Sequence, residues 1–288
     1  MQISRCMPFA RILRAPRFLN ILRGWDRILR LCFHPDRQLK ADLTFSFAAI
    51  EYRGATGNLI DWTAFFNGVY ENQWLEFCLR QIGDSRSAVV LDIGGNVGHH
   101  ALWFAAQGCR VHTFEPFPAL WPSIKGKCGL PGVAGTITVH RTAMGSTAET
   151  RTFNLPEGVN QGTGSFEQQP YNWSGNQIEL QISAASDYLR DQGIGNASLI
   201  KIDVEGSELD VLIGLKAFLA RTRPVLWVEI SATAPGRRVD MKMLRGVLSG
   251  DYRFYYAVRR SPLLSAMKFV ETDEIAGGGS IDIVAVPV

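Results

Sequence analysis

No apolar run in these 288 residues approaches the roughly 18 that a membrane-spanning helix needs, which excludes a span of that kind. Cysteine is scarce and odd in number. The five (Cys6, Cys32, Cys78, Cys109, Cys128) are scattered without a C-x-x-C pair, so neither a disulfide framework nor a structural zinc site is expected, and a reducing compartment is. There is no internal repeat and no low-complexity tract. The chain is 46% hydrophobic and 20% charged with mean hydropathy near zero, the balance of a soluble protein with a sizeable core. Extended disorder requires far fewer apolar residues than this.

The net charge of +3 conceals an asymmetry. Residues 1–40 hold nine basic side chains against Asp26 and Asp36, a local charge of +7 that leaves −4 on the remainder. A mildly acidic body argues against nucleic acid as a partner. Within the basic start, Phe18, Leu19, Ile21, Leu22, Trp25, Ile28, Leu29 and Cys32 recur at helical spacing opposite Arg23, Arg27 and Arg30. This predicts an amphipathic basic helix over residues 17–33, flanked by Pro16 and Pro35. Arginines interrupt every apolar stretch, so no secretory signal forms; an organelle transit peptide stays open. Such a helix fits either packing on the rest of the chain or peripheral contact with an anionic membrane surface. The expected location is cytoplasmic, with the inner face of a membrane as the site of any such contact.

Three regions follow: a basic extension (1–40), a β and helical lead-in (41–84) and a main domain (85–288) with an insertion at 150–183. The lead-in reads as strands at Phe45–Tyr52 and Asn58–Trp62 around a Gly54–Gly57 turn, then a helix over 71–82. In the main domain, strands at 88–93, 110–115, 136–140, 198–203 and 224–230 alternate with helices at 97–107, 117–127, 207–220 and 238–248. Strands at 251–258 and 280–287 close the chain, joined by a long Gly-containing segment, and the insertion adds two more at 150–155 and 178–183. Strand–helix alternation of this kind implies a doubly wound, mostly parallel α/β sheet with an antiparallel edge.

Ligands in such sheets sit beyond the carboxyl ends of the strands. The first strand of the main domain ends Leu91-Asp92-Ile93-Gly94-Gly95-Asn96-Val97-Gly98. Its glycines permit a tight turn and close approach of a ligand to the backbone, and a helix start behind it aims amide groups at the same place. The spacing departs from the nicotinamide fingerprint G-x-G-x-x-G, because Asn96 replaces the second glycine and a histidine the third. A ligand without a pyrophosphate, such as adenosylmethionine, fits better. The second strand ends Phe114-Glu115-Pro116, placing a carboxylate where it can accept both hydroxyls of a ribose. The third element, Ile200-Lys201-Ile202-Asp203-Val204-Glu205-Gly206-Ser207-Glu208, crowds three carboxylates at a strand exit. A helix start with Ser207 as cap accounts for Glu208, but leaves Asp203 unexplained on an otherwise apolar strand.

These three motifs resemble the signatures of the FkbM family of S-adenosylmethionine-dependent methyltransferases. The resemblance covers about residues 65–258 and extends to Gly68-Val69-Tyr70-Glu71, Thr142-Ala143-Met144-Gly145 and Val228-Glu229-Ile230. It implies the class I Rossmann-like fold with seven strands. It also implies that Asp92, Gly94, Gly95, Asn96 and Gly98 surround the methionine part of the cofactor, and that Glu115, with Pro116, holds the ribose. Ala143 and Met144 would lie against the adenine, Tyr70 and Glu71 would close over the methionine end, and Asp203 and Glu205 would face the methyl group and the acceptor. Three positions depart from the family pattern: Gly95 for alanine, which is expected to be harmless, Phe117 for asparagine, and Arg141 for a small polar residue.

A hydroxyl acceptor has to be held in line and deprotonated. Asp203, Glu205 and Glu208 are the candidate bases, with Glu229 and His140 behind them, and His99 or His100 opens the first helix beside the cofactor turn. A divalent metal on Asp203, Glu205 and Glu229 is an alternative activator. The insertion, with Gly162-Thr163-Gly164-Ser165-Phe166 and Tyr171-Asn172-Trp173, offers aromatic rings for a sugar or flat ring. The expected reaction is O-methylation of a sugar, a glycan or a polyketide-like small molecule. A nucleotide-cofactor oxidoreductase and a membrane-docked, non-enzymatic binding module are the alternatives.

Overall fold

The apolar runs ending in Asp92, Phe114, His140, Ile202 and Ile230 all become strands of one sheet. The computed structural model describes residues 42–48, 50–157, 161–167, 173–230, 239–260, 265–275 and 279–288. The basic helix foreseen at 17–33 and the Tyr171-Asn172 tip of the insertion lie outside the described residues.

The lead-in folds as a hairpin of β1 (Asp42–Phe47) and β2 (Ile50–Ala55), then α1 (Leu59–Asn67) and α2 (Asn72–Ile82). The single strand expected at Phe45–Tyr52 instead reverses at Ala48, whose φ is +46°, and Phe45 comes to face and stack on Tyr52. The strand expected at Asn58–Trp62 is the first turn of α1. The Asn58 side chain accepts from the amides of Ile60 and Asp61, an N-cap that local apolar content does not reveal.

The main sheet contains β3 (Val89–Ile93), β4 (Arg110–Phe114), β5 (Ile137–His140), β9 (Leu199–Ile202), β10 (Val225–Ile230), β11 (Tyr252–Arg259), β12 (Met267–Glu271) and β13 (Ile281–Pro287). Their order is β12-β11-β13-β10-β9-β3-β4-β5. The pairs from β5 to β10 are parallel, and those joining β10, β13, β11 and β12 are antiparallel. The sheet is therefore mixed and eight-stranded, not seven-stranded. The extra strand, β12, lies in the segment read as a connection. It is a five-residue edge strand with no fully buried position, and Phe269 finds its partner only in tertiary structure, stacked 3.9 Å from Phe77 of α2.

Helices α3 (His99–Ala106), α4 (Trp121–Cys128), α6 (Glu208–Thr222) and α7 (Met241–Val247) connect the strands, and α5 (Ala185–Asp191), absent from the sequence reading, precedes β9. The insertion supplies β7 (Glu149–Pro156) and β8 (Trp173–Ala184), which join β6 (Ala143–Gly145) in a separate three-stranded sheet. Two apolar layers cover the main sheet. One holds Leu91, Ile200, Ile202, Val228, Ile283 and the inner faces of α6 and α7. The other places Val90, Val111, Leu199 and Trp227 against α2, α3 and the aromatic residues of the lead-in, so residues 42–82 share a core with the sheet. Cys78 and Cys109 are buried in this layer as free thiols, and Cys128 is half-buried and free. Among the described residues no helix is long and apolar enough to cross a membrane.

A buried polar knot ties the lead-in down. Tyr52 donates to Asp61 Oδ1 at 2.6 Å, the Ala55 amide donates to Asp61 Oδ2, and Lys127 Nζ of α4 lies 3.2 Å from Asp61 Oδ1. Both charged side chains are at most 2% exposed. Replacing one member of such a pair strands the other charge in a low-dielectric interior. Lys127→Met is expected to destabilise the fold by about 3 kcal/mol, read as a lower urea midpoint. Asp61→Asn combined with Lys127→Met should recover part of that loss.

Candidate active site

Chain direction reverses between β3 and β9: from β3 the chain proceeds to β4 and β5, and from β9 to β10 on the other side. The carboxyl ends of these two strands frame the crevice where an open α/β sheet binds its ligand. They are sewn together by the Asp203 amide, which donates to the Ile93 carbonyl at 3.0 Å. The Gly94 and Gly95 amides both donate to the Phe114 carbonyl at 3.0 Å, which folds the turn back over β4. Gly94 has a φ of +90°, and a Cβ there would stand 1.7 Å from the Asp203 carbonyl oxygen. Only glycine fits. A Cβ on Gly95 would meet Thr113 Oγ1 at 2.0 Å, so the departure from alanine at 95, expected to be harmless, is matched to the threonine on β4.

Glu115 is 6% exposed and holds both sides of the turn. Its Oε2 accepts from the Asn96 amide and its Oε1 from the Phe117 amide, each at 2.8 Å. Burial raises its pKa to about 7 against the opposing pull of those two amides. Each oxygen keeps a further lone pair, so ribose hydroxyls remain within its capacity.

Beside the turn lies a cleft enclosing about 740 Å³ of space, its open mouth included. Of the residues singled out from sequence, Gly94, Asn96, Glu115, Pro116, Ala143, Met144, Asp203 and Glu205 line it. Gly95 and Gly98 shape the turn without lining the cleft. Residues given no role from sequence (Leu120, Arg151, Phe153, Ile182 and Asp210) complete the wall, with Phe117, a departure from the family pattern, and Gly162, Gly164 and Phe166 of the segment offered to the acceptor. The insertion closes on the exits of β9 and β4, since Ser165 Oγ donates to the Glu205 carbonyl at 2.6 Å and Phe153 packs against Phe117. No local pattern in the sequence signals these contacts, because they join segments about 40 residues apart.

Several expected catalytic groups are placed elsewhere. Glu208 is buried and accepts from the Gly206 amide, serving the turn before α6. Ser207 does not cap that helix; its Oγ is buried without a partner at the cleft wall. His100, 3% exposed, bonds Glu71 at 2.9 Å behind the cleft. Burial holds the imidazole well below its usual pKa, so His100 meets Glu71 as a neutral ring at pH 7. His99 joins the lead-in knot through Tyr52 and the Tyr70 carbonyl. His140 stacks on Phe114 between His112 and Tyr188. Asp203, Glu205 and Glu229 do not form a metal-ligand group; among the described residues no three acidic, His or Cys side chains do.

Asp203, Lys201, Glu229, Asp282, Glu71 and Asp92 form a buried polar layer behind the turn. Lys201 Nζ donates to Asp203 Oδ2 at 2.8 Å, and Trp227 Nε1 to Asp282 Oδ1 at 2.7 Å. Burial alone would raise the Asp203 pKa, but the neighbouring Lys201 ammonium outweighs it and holds Asp203 below the usual aspartate value. The charge on Asp203, with burial, pushes Glu229 up to about 10. At pH 7 Asp203 is therefore the ionised member of the pair and Glu229 the protonated one.

The model of the methyltransferase FkbM domain matches residues 92–254, more than half of the chain. This chain belongs to the FkbM methyltransferase family. The family's methyl donor, S-adenosylmethionine, is its cofactor. Among curated relatives, the chain is 27% identical over 154 residues to the 31-O-demethyl-FK506 methyltransferase FkbM of Streptomyces tacrolimicus, covering 44% of this chain and 59% of that protein. It is 24% identical over 176 residues to methyltransferase sdnD of Sordaria araneosa, covering 51% and 68%. The matched segment thus spans about three-fifths of the first of these relatives. Among solved structures, a methyltransferase FkbM from Methylobacillus flagellatus KT aligns with a TM-score of 0.45 at 15% identity, covering 98% of this chain and 59% of that one. A SAM-dependent methyltransferase from Agrobacterium tumefaciens aligns with 0.47 at 14%, covering 88% and 72%.

The residues present suit this cofactor. Asn96 Oδ1 and Ser207 Oγ are buried at the cleft wall with no partner, leaving polar atoms for a ligand to satisfy. Phe117, Met144 and Ile182 provide the apolar surface that a flat base requires. Two glycine replacements separate fold from site. Gly94→Ala forces a Cβ into backbone and should lower the melting temperature and abolish cofactor binding together. Gly162→Ala would press only on the Asn96 side-chain amide, 2.0 Å from Nδ2 and 2.7 Å from Cγ and Oδ1. It should leave the melting temperature nearly unchanged while weakening adenosylmethionine binding by about tenfold, or about 1.4 kcal/mol, in a calorimetric titration.

Proposed function

We propose that this chain is an S-adenosylmethionine-dependent methyltransferase that methylates a hydroxyl of a sugar, a glycan or a polyketide-like small molecule. The observation that carries the reading is the convergence of the Gly94 turn, Glu115 and ionised Asp203 on one cleft at the strand switch point. The relative from Streptomyces tacrolimicus, whose name specifies methylation of 31-O-demethyl-FK506, supports the choice of oxygen. Family membership displaces the oxidoreductase alternative.

When bound, the cofactor supplies an electrophilic methyl group on a sulfonium. The chain's residues do the rest. Gly94 and Asn96 would line the methionine part, with Asp92, Gly95 and Gly98 shaping the turn behind them, Glu115 and Pro116 would hold the ribose, and Ala143 and Met144 would meet the base. Tyr70 and Glu71 sit behind the turn and reach the site through the buried polar layer, not through the cleft wall. Asp203 bridges the two: its side chain is anchored by Lys201, yet the residue also lines the cleft. An anchored carboxylate can accept the acceptor's hydroxyl hydrogen and fix the oxygen's approach, and Glu205 stands two residues on, at the same wall. Lys201 keeps Asp203 ionised at neutral pH, so no preliminary deprotonation is needed there.

Isothermal titration is expected to give heats for adenosylmethionine and adenosylhomocysteine and none for NAD. Glu115→Ala should weaken both by about 1–3 kcal/mol, the consequence of removing a buried charged acceptor. Asp203→Asn should cut turnover far more than cofactor affinity, since its role concerns the acceptor. Equal losses in both would move Asp203 into the cofactor-binding set. Methyl-labelled cofactor incubated with size-fractionated, protein-free cell extract should label a hydroxyl-bearing small molecule or glycan; label appearing only on nitrogen or carbon overturns the O-methyl assignment.

A further inference from the structure

Behind the cleft wall, the sheet carries a concentration of charge that neither the turn nor the cleft explains. Asp92 on β3 lies across from Lys201 on β9, and Glu229 on β10 across from Asp282 on β13, all on the face covered by α2 and α3. Glu71 enters from the start of α2. With Asp203, bonded to Lys201 Nζ, five carboxyls share one ammonium. The other groups facing this layer add no positive charge: His100 and His99 from α3 are held neutral by burial, Tyr70 and Cys78 are held protonated by burial, and Lys127 from α4 is engaged by Asp61. Thr113 from β4 donates to Asp92 Oδ2. The other oxygen, Asp92 Oδ1, belongs to a residue with 0% exposure and has no hydrogen-bond partner. A fully buried carboxylate oxygen left bare, in a layer short of cations, is what a site awaiting a positive charge looks like.

We infer that this layer is the counter-charge for the sulfonium of the methyl donor: it takes up the cationic donor with release of protons, and by the same means favours the donor over the uncharged thioether product. The inference rests on the methyltransferase reading and adds how the site tells donor from product. The two ligands share the amino-acid, ribose and base portions, so cleft contacts treat them alike. They differ by a methyl group and one positive charge.

The direction of the linkage follows from the donor-free state. Burial raises Glu71 and Asp282 to about 7 and Asp92 to about 6, in each case against the pull of Lys201, so these carboxyls hold protons in mildly acidic solution. A cation close by lowers their proton affinity, and protons leave as it binds. Affinity for the donor therefore rises with pH through the window of about 5.5 to 7.5 and levels off above it, where the carboxyls are ionised in both states. Loss of the charge on methyl transfer lets the protons return and weakens the hold on product.

The test is calorimetry of the full chain with adenosylmethionine and adenosylhomocysteine at pH 6.5, in two buffers of different ionisation enthalpy. Net proton release is expected to be larger with the donor than with the product, because Glu115, raised to about 7, meets the ribose of both. The donor's affinity should climb by up to about tenfold per pH unit for each proton released. Asp282→Asn should reduce the donor-to-product affinity ratio while leaving product affinity within about twofold, which also reports that the variant has folded. Binding of both ligands with equal proton exchange, or an unchanged ratio in Asp282→Asn, overturns the inference and leaves the methyltransferase reading standing. Failure of either ligand to bind the unaltered protein overturns that reading, and this inference with it.

Discussion

The end of β3 can lie against the end of β9 only because residue 94 has no side chain. With the Asp203 carbonyl 1.7 Å from where a Cβ would sit, and the Asp203 amide bonded to Ile93, two strand ends separated by more than 100 residues are locked at a separation no other residue allows. The site depends on that lock. It brings Asp203 into the cleft wall, aligns Asp92 with Lys201, and sets the glycine turn beneath Glu115. Glu115 then completes the frame, each of its oxygens taking a backbone amide from a different side of the turn.

Behind this frame the sheet does something expensive. A carboxylate-rich layer is buried beside stacked tryptophans, with Trp74 and Trp227 parallel at 5.9 Å and Lys201 Nζ 5.3 Å from the Trp227 ring. Burying charge without full pairing opposes folding, and the aromatic packing contributed by the lead-in offsets it. The hairpin and α1 are held to the domain by the Tyr52–Asp61–Lys127 knot, and that knot reaches the turn through His99 and the Tyr70 carbonyl. The lead-in thus backs the polar layer behind the active site and is part of the core.

The insertion has a parallel role on the front. Its sheet packs Phe153 and Phe166 over the cleft, and Gly162 passes so close to Asn96 that a side chain there would collide with it. Phe166, one of the aromatic residues that sequence reading offered to a sugar or flat ring, belongs to the wall beside the cofactor turn.

Strand content, the alternation that makes a doubly wound sheet, and the three strand-end motifs were all legible in the chain itself, because each is a local pattern: an apolar run, a glycine turn, a carboxylate on a strand tip. Motif residues Gly94, Asn96, Glu115, Met144 and Asp203 line the cleft as their positions at strand ends require. Tertiary structure decided what local pattern does not encode. Asn58 turned an apolar stretch into a helix by capping it, and Phe269 made a strand of a connection by finding Phe77. Burial removed His100 and Glu208 from the acceptor's reach and gave them to Glu71 and the Gly206 amide. Which carboxyl is ionised was also a tertiary outcome. Asp203 and Glu229 are alike in sequence as acidic residues at strand ends, and only the ammonium of Lys201, bonded to one of them inside a low-dielectric layer, makes the first a carboxylate and the second an acid.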